Sequence, residues 1–255
     1  KFEFFIDRYD DKPTPEKFIL TKNGNTLTGT WENDKGKKLP VSLKKIKVEA
    51  MRQLFPFNPI ANLPDIEPQD LVRSYFVSFK KDSVSKIKGK SFEWYGEKHC
   101  TAPFFRLGDG FTEAQKKAVN PILERMHYEY AVSQLGCSSR SEYSDGNGIE
   151  HTININYVDG NLLGFEVFRS WFCGGAHPDF GVEGYLIDLN SGKQYEIDDI
   201  LAFDKSVTTE EQSGFDAFVA YRKTHFAPKL FKIIDSDAHF IKPKDEDEDN
   251  CDFTD

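Results

Sequence analysis

The chain is 255 residues long, 38% hydrophobic and 14% aromatic, with 23 phenylalanines, so it can bury roughly three-quarters of its unfolded surface without a metal or a staple. Its 42 acidic against 33 basic residues leave a net charge of −9, which argues against the cationic footprint that nucleic acid demands. No stretch of about 18 uninterrupted apolar residues occurs, so the sequence offers no transmembrane segment.

The opening KFEFFID has no initiator Met, basic region or apolar run, so a signal peptide removed by processing would leave no trace. Residues 1–48 read as a β-rich unit built from FEFFI, KFILTKN, TLTGTWEN and LPVSLKKI. Asn23-Gly24-Asn25 and Asn33-Asp34-Lys35-Gly36 suit hairpins, because these residues tolerate the positive φ that tight turns need. Trp31 is read as a core residue of this meander. Residues 49–68 are read as a proline-rich linker, since Pro56, Pro59, Pro64 and Pro68 exclude a central strand or a helix from Leu54 onward.

Residues 69–255 are expected to form one α+β domain on an antiparallel sheet with two main helices. DLVRSYFVSFKKD (70–82) alternates Tyr75, Val77 and Phe79 as a strand would, and SFEWYGEKHC and TAPFFRLG continue the extended pattern. Thr112 then looks like an N-cap, with Gln115 able to close a capping box. From there Val119, Ile122, Leu123, Met126 and Tyr130 follow at helical spacing, predicting a helix over 112–135 with Pro121 inside it. HTININYVD, GFEVFRSWF, EGYLIDL and KQYEIDDI read as strands, joined by connections short enough to require antiparallel pairing. A second helix is predicted over 209–234, bent at Pro228. The tail from Lys242 onward is charged, and its acidic run reads as a solvated segment.

None of the four cysteines, Cys100, Cys137, Cys173 and Cys251, lies in a CxxC pair, so a redox motif or zinc ribbon is unsupported. The even count fits two disulfides and an oxidising compartment, or else four buried thiols in a reducing one. The order of elements favours Cys100–Cys137, bridging the strand before the first helix to that helix's end. Cys173–Cys251 would then tether the tail. Both bonds would place the chain in the periplasm or outside the cell.

Catalytic patterns fail one after another. There is no GxSxG elbow, the position a P-loop reserves for its first glycine is Val84, and the six histidines are scattered, so no metal or cofactor is implied. Asp145-Gly146-Asn147-Gly148 lacks the later calcium ligands and reads as a turn. SWFCGGAHPDFG (170–181) stands apart. Gly174 and Gly175 permit backbone conformations or approaches closed to other residues, and Pro178 fixes the exit. His177 could pin the turn through backbone hydrogen bonds, which predicts a residue at least half buried. A catalytic reading would instead join Cys173, His177 and Asp179, although three members so close in sequence seldom reach the required geometry. Trp171, Gly174, Gly175, His177 and Asp179 are the candidate binding residues.

The segment FEVFRSWFCGGAHPDFGVEGYLIDLNSGKQYEIDDIL resembles the centre of the C-terminal domain of the RsiV-like anti-sigma factors, a domain also found beside a peptidoglycan deacetylase and in bacterial envelope proteins. The shared features are Gly174 to His177, Asp188-Leu189, Ser191-Gly192-Lys193 and Asp198 to Leu201. The likeness covers roughly residues 70–255 and leaves residues 1–48 outside. It implies a non-catalytic envelope protein that recognises a basic lysozyme-like protein or the peptidoglycan. The acidic balance suits a basic partner, because opposite charge speeds encounter. A hydrolase acting on peptidoglycan through His177 and nearby carboxylates is the alternative.

Overall fold

Asn-Gly turns and alternating apolar residues fold the N-terminus into β1 (Phe2–Phe5), β2 (Lys17–Asn23), β3 (Thr26–Glu32) and β4 (Lys38–Lys44). The four pair antiparallel in chain order. Gly24 takes the left-handed φ of 59° that the first turn needs. In the second, the Asn33 side chain accepts the Lys35 and Lys37 amides. The register aligns Phe18, Trp31 and Leu39 across the sheet, so Trp31 lies half-buried on its apolar face. The computed structural model describes residues 1–5, 16–54, 56–98, 100–137, 148–173, 177–204 and 210–236.

Helix α1 (Val48–Leu54) precedes turns that run through the proline-rich segment, and α2 (Pro68–Tyr75) follows them. The strand expected over 70–82 is therefore corrected in its first half. Pro68 stands in the first helical turn, where its missing N–H costs nothing, and Leu71 and Ser74 turn inward together. Extended chain resumes only at β5 (Lys80–Ile87), which forms a three-stranded antiparallel sheet with β6 (Lys90–Glu97) and β7 (Cys100–Leu107).

Helix α3 (Glu113–Gly136) begins with the expected cap: Thr112 accepts the Gln115 amide while the Gln115 side chain accepts the Thr112 amide. Beside its internal Pro121, Asn120 reaches out to bond both backbone groups of Leu107. Strands β8 (Ile149–Asp159), β9 (Leu162–Trp171) and β10 (Asp179–Asp188) follow as antiparallel hairpins. Gly160 and Gly192, at φ of 53° and 74°, make the two turns that the sequence marks. Strand β11 is just Gln194–Tyr195, and the sheet runs β11-β10-β9-β8. One core joins Phe92, Phe104 and Phe105 to Val119 and Leu123 of α3 and to Leu163, Phe165 and Ile187. The fold is α+β, with every described strand pair antiparallel.

The chain divides into two compact units, Lys1–Gln194 and Tyr195–Asp255. In the second, the strand expected for KQYEIDDI ends almost at once, because Ile197–Ile200 form the helical turn α4. There the Asp199 carboxylate accepts the Glu196 amide. The predicted helix over 209–234 is broken into α5 (Glu210–Ser213), α6 (Phe215–Tyr221) and α7 (Ala227–Asp235). Gly214, at φ 81°, separates the first two. A π-helical turn, Arg222–Phe226, joins the last two, widening the backbone just ahead of Pro228, whose ring would otherwise press on the preceding turn. Arg222 anchors this unit, bonding Asp198 at 2.6 Å and lying over the Phe226 ring.

Candidate functional site

Strand parity sends Trp171, Arg169, Val167 and Phe165 of β9 to one face of the sheet. The register sets Ile149 and His151 of β8 beside Trp171 and Arg169. On the other flank, β10 aligns Gly181 with Arg169 and Glu183 with Val167. That face is apolar towards the β8–β9 turn and polar towards Trp171, at the β9–β10 turn. Tyr130 of α3 reaches the polar end from across the core, where its hydroxyl lies 3.1 Å from Glu183 Oε2 and 2.9 Å from the Tyr185 hydroxyl.

Glu183 collects the network. Tyr185 donates to Oε2 at 2.6 Å, and Arg169 donates to Oε1 at 2.7 Å. The Tyr185 hydrogen bond, then the Arg169 charge, hold this carboxyl below its usual range despite partial burial, so it stays ionised. Burial pushes the Tyr185 phenol up to about 12 and raises Tyr130 as well. The Arg169 guanidinium lies 4.9 Å from the Trp171 ring, a cation–π contact. Trp171 is half-buried, with its ring at van der Waals distance from the side-chain position of Gly181.

His151 completes the constellation. It is 8% exposed, edge-on to Tyr130, and neither ring nitrogen has a hydrogen-bond partner among the described residues. Burial, reinforced by Arg169, pulls its pKa down to about 4, so it is a neutral imidazole near pH 7. The sequence marks it as one of six scattered histidines. Its position opposite Arg169 and beside Trp171 follows only from the strand register.

The residues singled out in the sequence come together in part. Trp171 belongs to the polar end. Asp179 opens β10, and its carboxylate accepts the Phe180 amide at 2.8 Å. Gly174 and Gly175 lie outside the described residues. His177 is exposed, which overturns its expected burial, although its Nδ1 lies 2.9 Å from the Pro178 carbonyl, a backbone contact of the kind expected. Chain direction is the reason: Pro178 and Asp179 lead out along the sheet edge, and nothing described packs over the imidazole.

The cysteine pairing is corrected too. Cys137 bonds Cys173, with Cα atoms 4.8 Å apart, while Cys100 is a buried free thiol that burial pushes up to about 12. The register explains this, since the end of β9 returns beside the start of β8, where the Phe172 amide donates to the Gly148 carbonyl at 2.7 Å. Gly148 packs so closely on the Cys137 carbonyl that a Cβ would collide with it. Cys100 instead faces Ala131, six residues before Cys137 along α3 and roughly 9 Å away in helical rise. Cys251 and the Asp145–Asn147 turn lie outside the described residues, as does the tail from Lys242.

Among the described residues, no group of histidine, cysteine and carboxylate side chains could hold a metal, and no helix is long and apolar enough to cross a membrane. No known protein-family model matches the chain, and no curated protein is significantly similar to it.

Proposed function

We propose that this chain is a non-catalytic binding protein of the bacterial envelope, periplasmic or secreted, that recognises cell-wall glycan at the polar end of the β8–β10 sheet. One observation carries the reading: the partly accessible Trp171 ring lies against Arg169, whose guanidinium bonds the Glu183 carboxylate. Sugar binding needs an aromatic plane for the C–H face of a pyranose and fixed polar groups for its hydroxyls. Glu183 and Arg169 are fixed in this way, because each is already held by the other. The same hydrogen bonds keep Glu183 ionised, opposite to the raised pKa of a glycosidic general acid. The Cys137–Cys173 bond supports an oxidising compartment.

Co-sedimentation with purified, insoluble peptidoglycan tests the reading. The wild type should pellet with it, and Trp171→Ala should remain in the supernatant with its melting temperature lowered by no more than about 4 °C. Equal sedimentation of the two proteins would remove Trp171 from the site. The net charge of −9 favours a second reading, a basic lysozyme-like protein as partner. Salt-sensitive co-elution with purified lysozyme, and no sedimentation with peptidoglycan, would select it. Release of soluble fragments from the peptidoglycan would install the hydrolase reading, with His177 as the first residue to replace.

A further inference from the structure

Three edge strands in this protein are defended. Strand β4 carries Pro40 between Lys38 and Lys44, and β5 carries Lys80, Lys81 and Lys86 with a break in register between Lys81 and Ser83. Strand β8 is interrupted between Ile155 and Tyr157. These are the devices by which natural sheets discourage another chain from adding a strand. Strand β10 has none of them from Asp179 to Gly184: no lysine, no proline and an unbroken register. On its outer side the sheet continues only with β11, two residues long and directly after the 188–193 turn. Among the described residues, no strand pairs with Asp179–Gly184 on that side.

The backbone there points outward. The Phe180 amide donates to its neighbour Asp179, and the Asp188 amide donates to the Lys193 carbonyl. Both therefore face away from β9. With the register unbroken from 179 to 188, the period of two puts the N–H and C=O of Val182 and Gly184 on the same outward side. Side chains mark the edge as well. Phe180 is 73% exposed and Val182 61% exposed. Phe168 lies across from Val182 on the same face, its ring 6.4 Å from that of Phe180. The opposite face of the strand carries Asp179 and Glu183.

We propose that the β10 edge, Phe180 to Gly184, receives an extended segment of a partner protein in which apolar and basic residues alternate. Pairing would extend the sheet by one strand. Apolar side chains of the incoming segment would cover Phe180, Val182 and Phe168, while its basic ones met Asp179 and Glu183. A second copy of this chain fits less well, because antiparallel self-pairing of Phe180 with Val182 sets Asp179 against Glu183 of the copy. Phe180, Val182, Phe168 and the strand edge lie away from the Trp171 ring, whereas Asp179 and Glu183 share its face, so the peptide would meet the Trp171 surface only through these two carboxylates.

The test uses the whole chain and a capped, labelled peptide of alternating Lys and Val, with a block peptide of the same composition as the comparison. Val182→Pro removes an outward N–H and leaves the hydrogen bonds to β9 in place, and Val182→Thr serves as the conservative variant. Fluorescence polarisation should show binding of the alternating peptide to the wild type, Val182→Thr and Trp171→Ala. Val182→Pro should weaken it by about tenfold or more at an unchanged melting temperature. Amide exchange at Val182 and Gly184 should slow when the peptide binds. No binding, equal binding of the block peptide, or undiminished binding to Val182→Pro would overturn the proposal. A wild-type dimer that Val182→Pro dissolves would overturn it in favour of a second copy.

Discussion

The two ends of the β8–β10 face share the same strands and the same helix opposite them, yet they are built for different purposes. At one end, Leu163, Phe165 and Ile187 are sealed against Phe104, Phe105 and Leu123 in a continuous apolar core. At the other, the same periodicity delivers Trp171, Arg169, His151 and Glu183, and the packing stops short of closing over them. The apolar end is worth burying because each side chain removed from water stabilises the fold. The polar end forgoes that gain, leaves a large indole only partly covered and buries an imidazole with no hydrogen-bond partner among the described residues. Proteins accept such local losses where a surface has work other than folding.

The largest expected effect is on the apolar side. Phe165→Ala should destabilise by about 3–5 kcal/mol, through the lost transfer energy plus the cavity left among rigid neighbours. Trp171→Ala, on the same strand and face, should cost about 1 kcal/mol or less. Chemical denaturation of the two variants measures the contrast directly. Equal losses would mean that Trp171 is a core residue and that the two ends do not differ in kind.

Next in size is the Cys137–Cys173 bond, which ties the end of α3 to the strand carrying Trp171. It spans 36 residues of sequence, so the chain-entropy model assigns it about 3–4 kcal/mol. Cys137→Ser with Cys173→Ser should lower stability by that order. The effect on ligand binding at the polar end should exceed that of Phe165→Ala at matched temperature below melting, because the bond anchors that end. Replacing Cys100 with Ala should leave binding unchanged, since that buried thiol faces Ala131 elsewhere in the core.

Local rules of sequence carried much of the fold and little of the site. The capping box at Thr112, the turns at Gly160 and Gly192, and the alternation of β8 to β10 are each written within a few residues, and the structure follows them. Helix α2 is masked in the sequence because Tyr75, Val77 and Phe79 alternate like a strand, although Pro68 after Glu67 is a usable helix-start signal. The disulfide partners and the role of His151 depend on which strand residues stand opposite one another, and no local pattern encodes that. The unguarded β10 edge was legible in one respect: DFGVEG contains no lysine or proline.

His151 offers a way to read the polar end through pH. Its folded pKa, near 4, is below the ordinary value of about 6.5, so between these limits the unfolded chain binds more protons than the folded one. Stability should therefore be full above about pH 6.5 and decline as pH falls towards 4, by roughly 3 kcal/mol from this residue. His151→Leu keeps the volume apolar and cannot be charged, so its profile should be flatter over that window. At pH 7 its stability should equal or slightly exceed the wild type, because an unpartnered buried polar group is removed. A parallel decline in both proteins would assign the acid sensitivity elsewhere.

The smallest effect belongs to Tyr185, whose hydroxyl donates to Glu183 and touches Tyr130. Tyr185→Phe preserves the ring stacked on Phe165 and deletes one hydrogen bond to a charged acceptor, so it should cost about 1.5–2 kcal/mol at neutral pH. Glu183 loses its largest stabilising contact in this variant, and its pKa should rise towards the normal carboxyl value. A depressed carboxyl stabilises the fold above its unfolded pKa and loses that contribution as pH falls through the folded one. The variant should accordingly lose this part of its stability at a higher pH than the wild type does. NMR titration of the Glu183 side chain reads the shift, and glycan binding should survive because Trp171 and Arg169 remain in place. An unmoved Glu183 titration would show that Arg169 and Tyr130 suffice to hold the carboxylate. The Tyr185 hydroxyl would then be dispensable to the polar end, its ring serving the core.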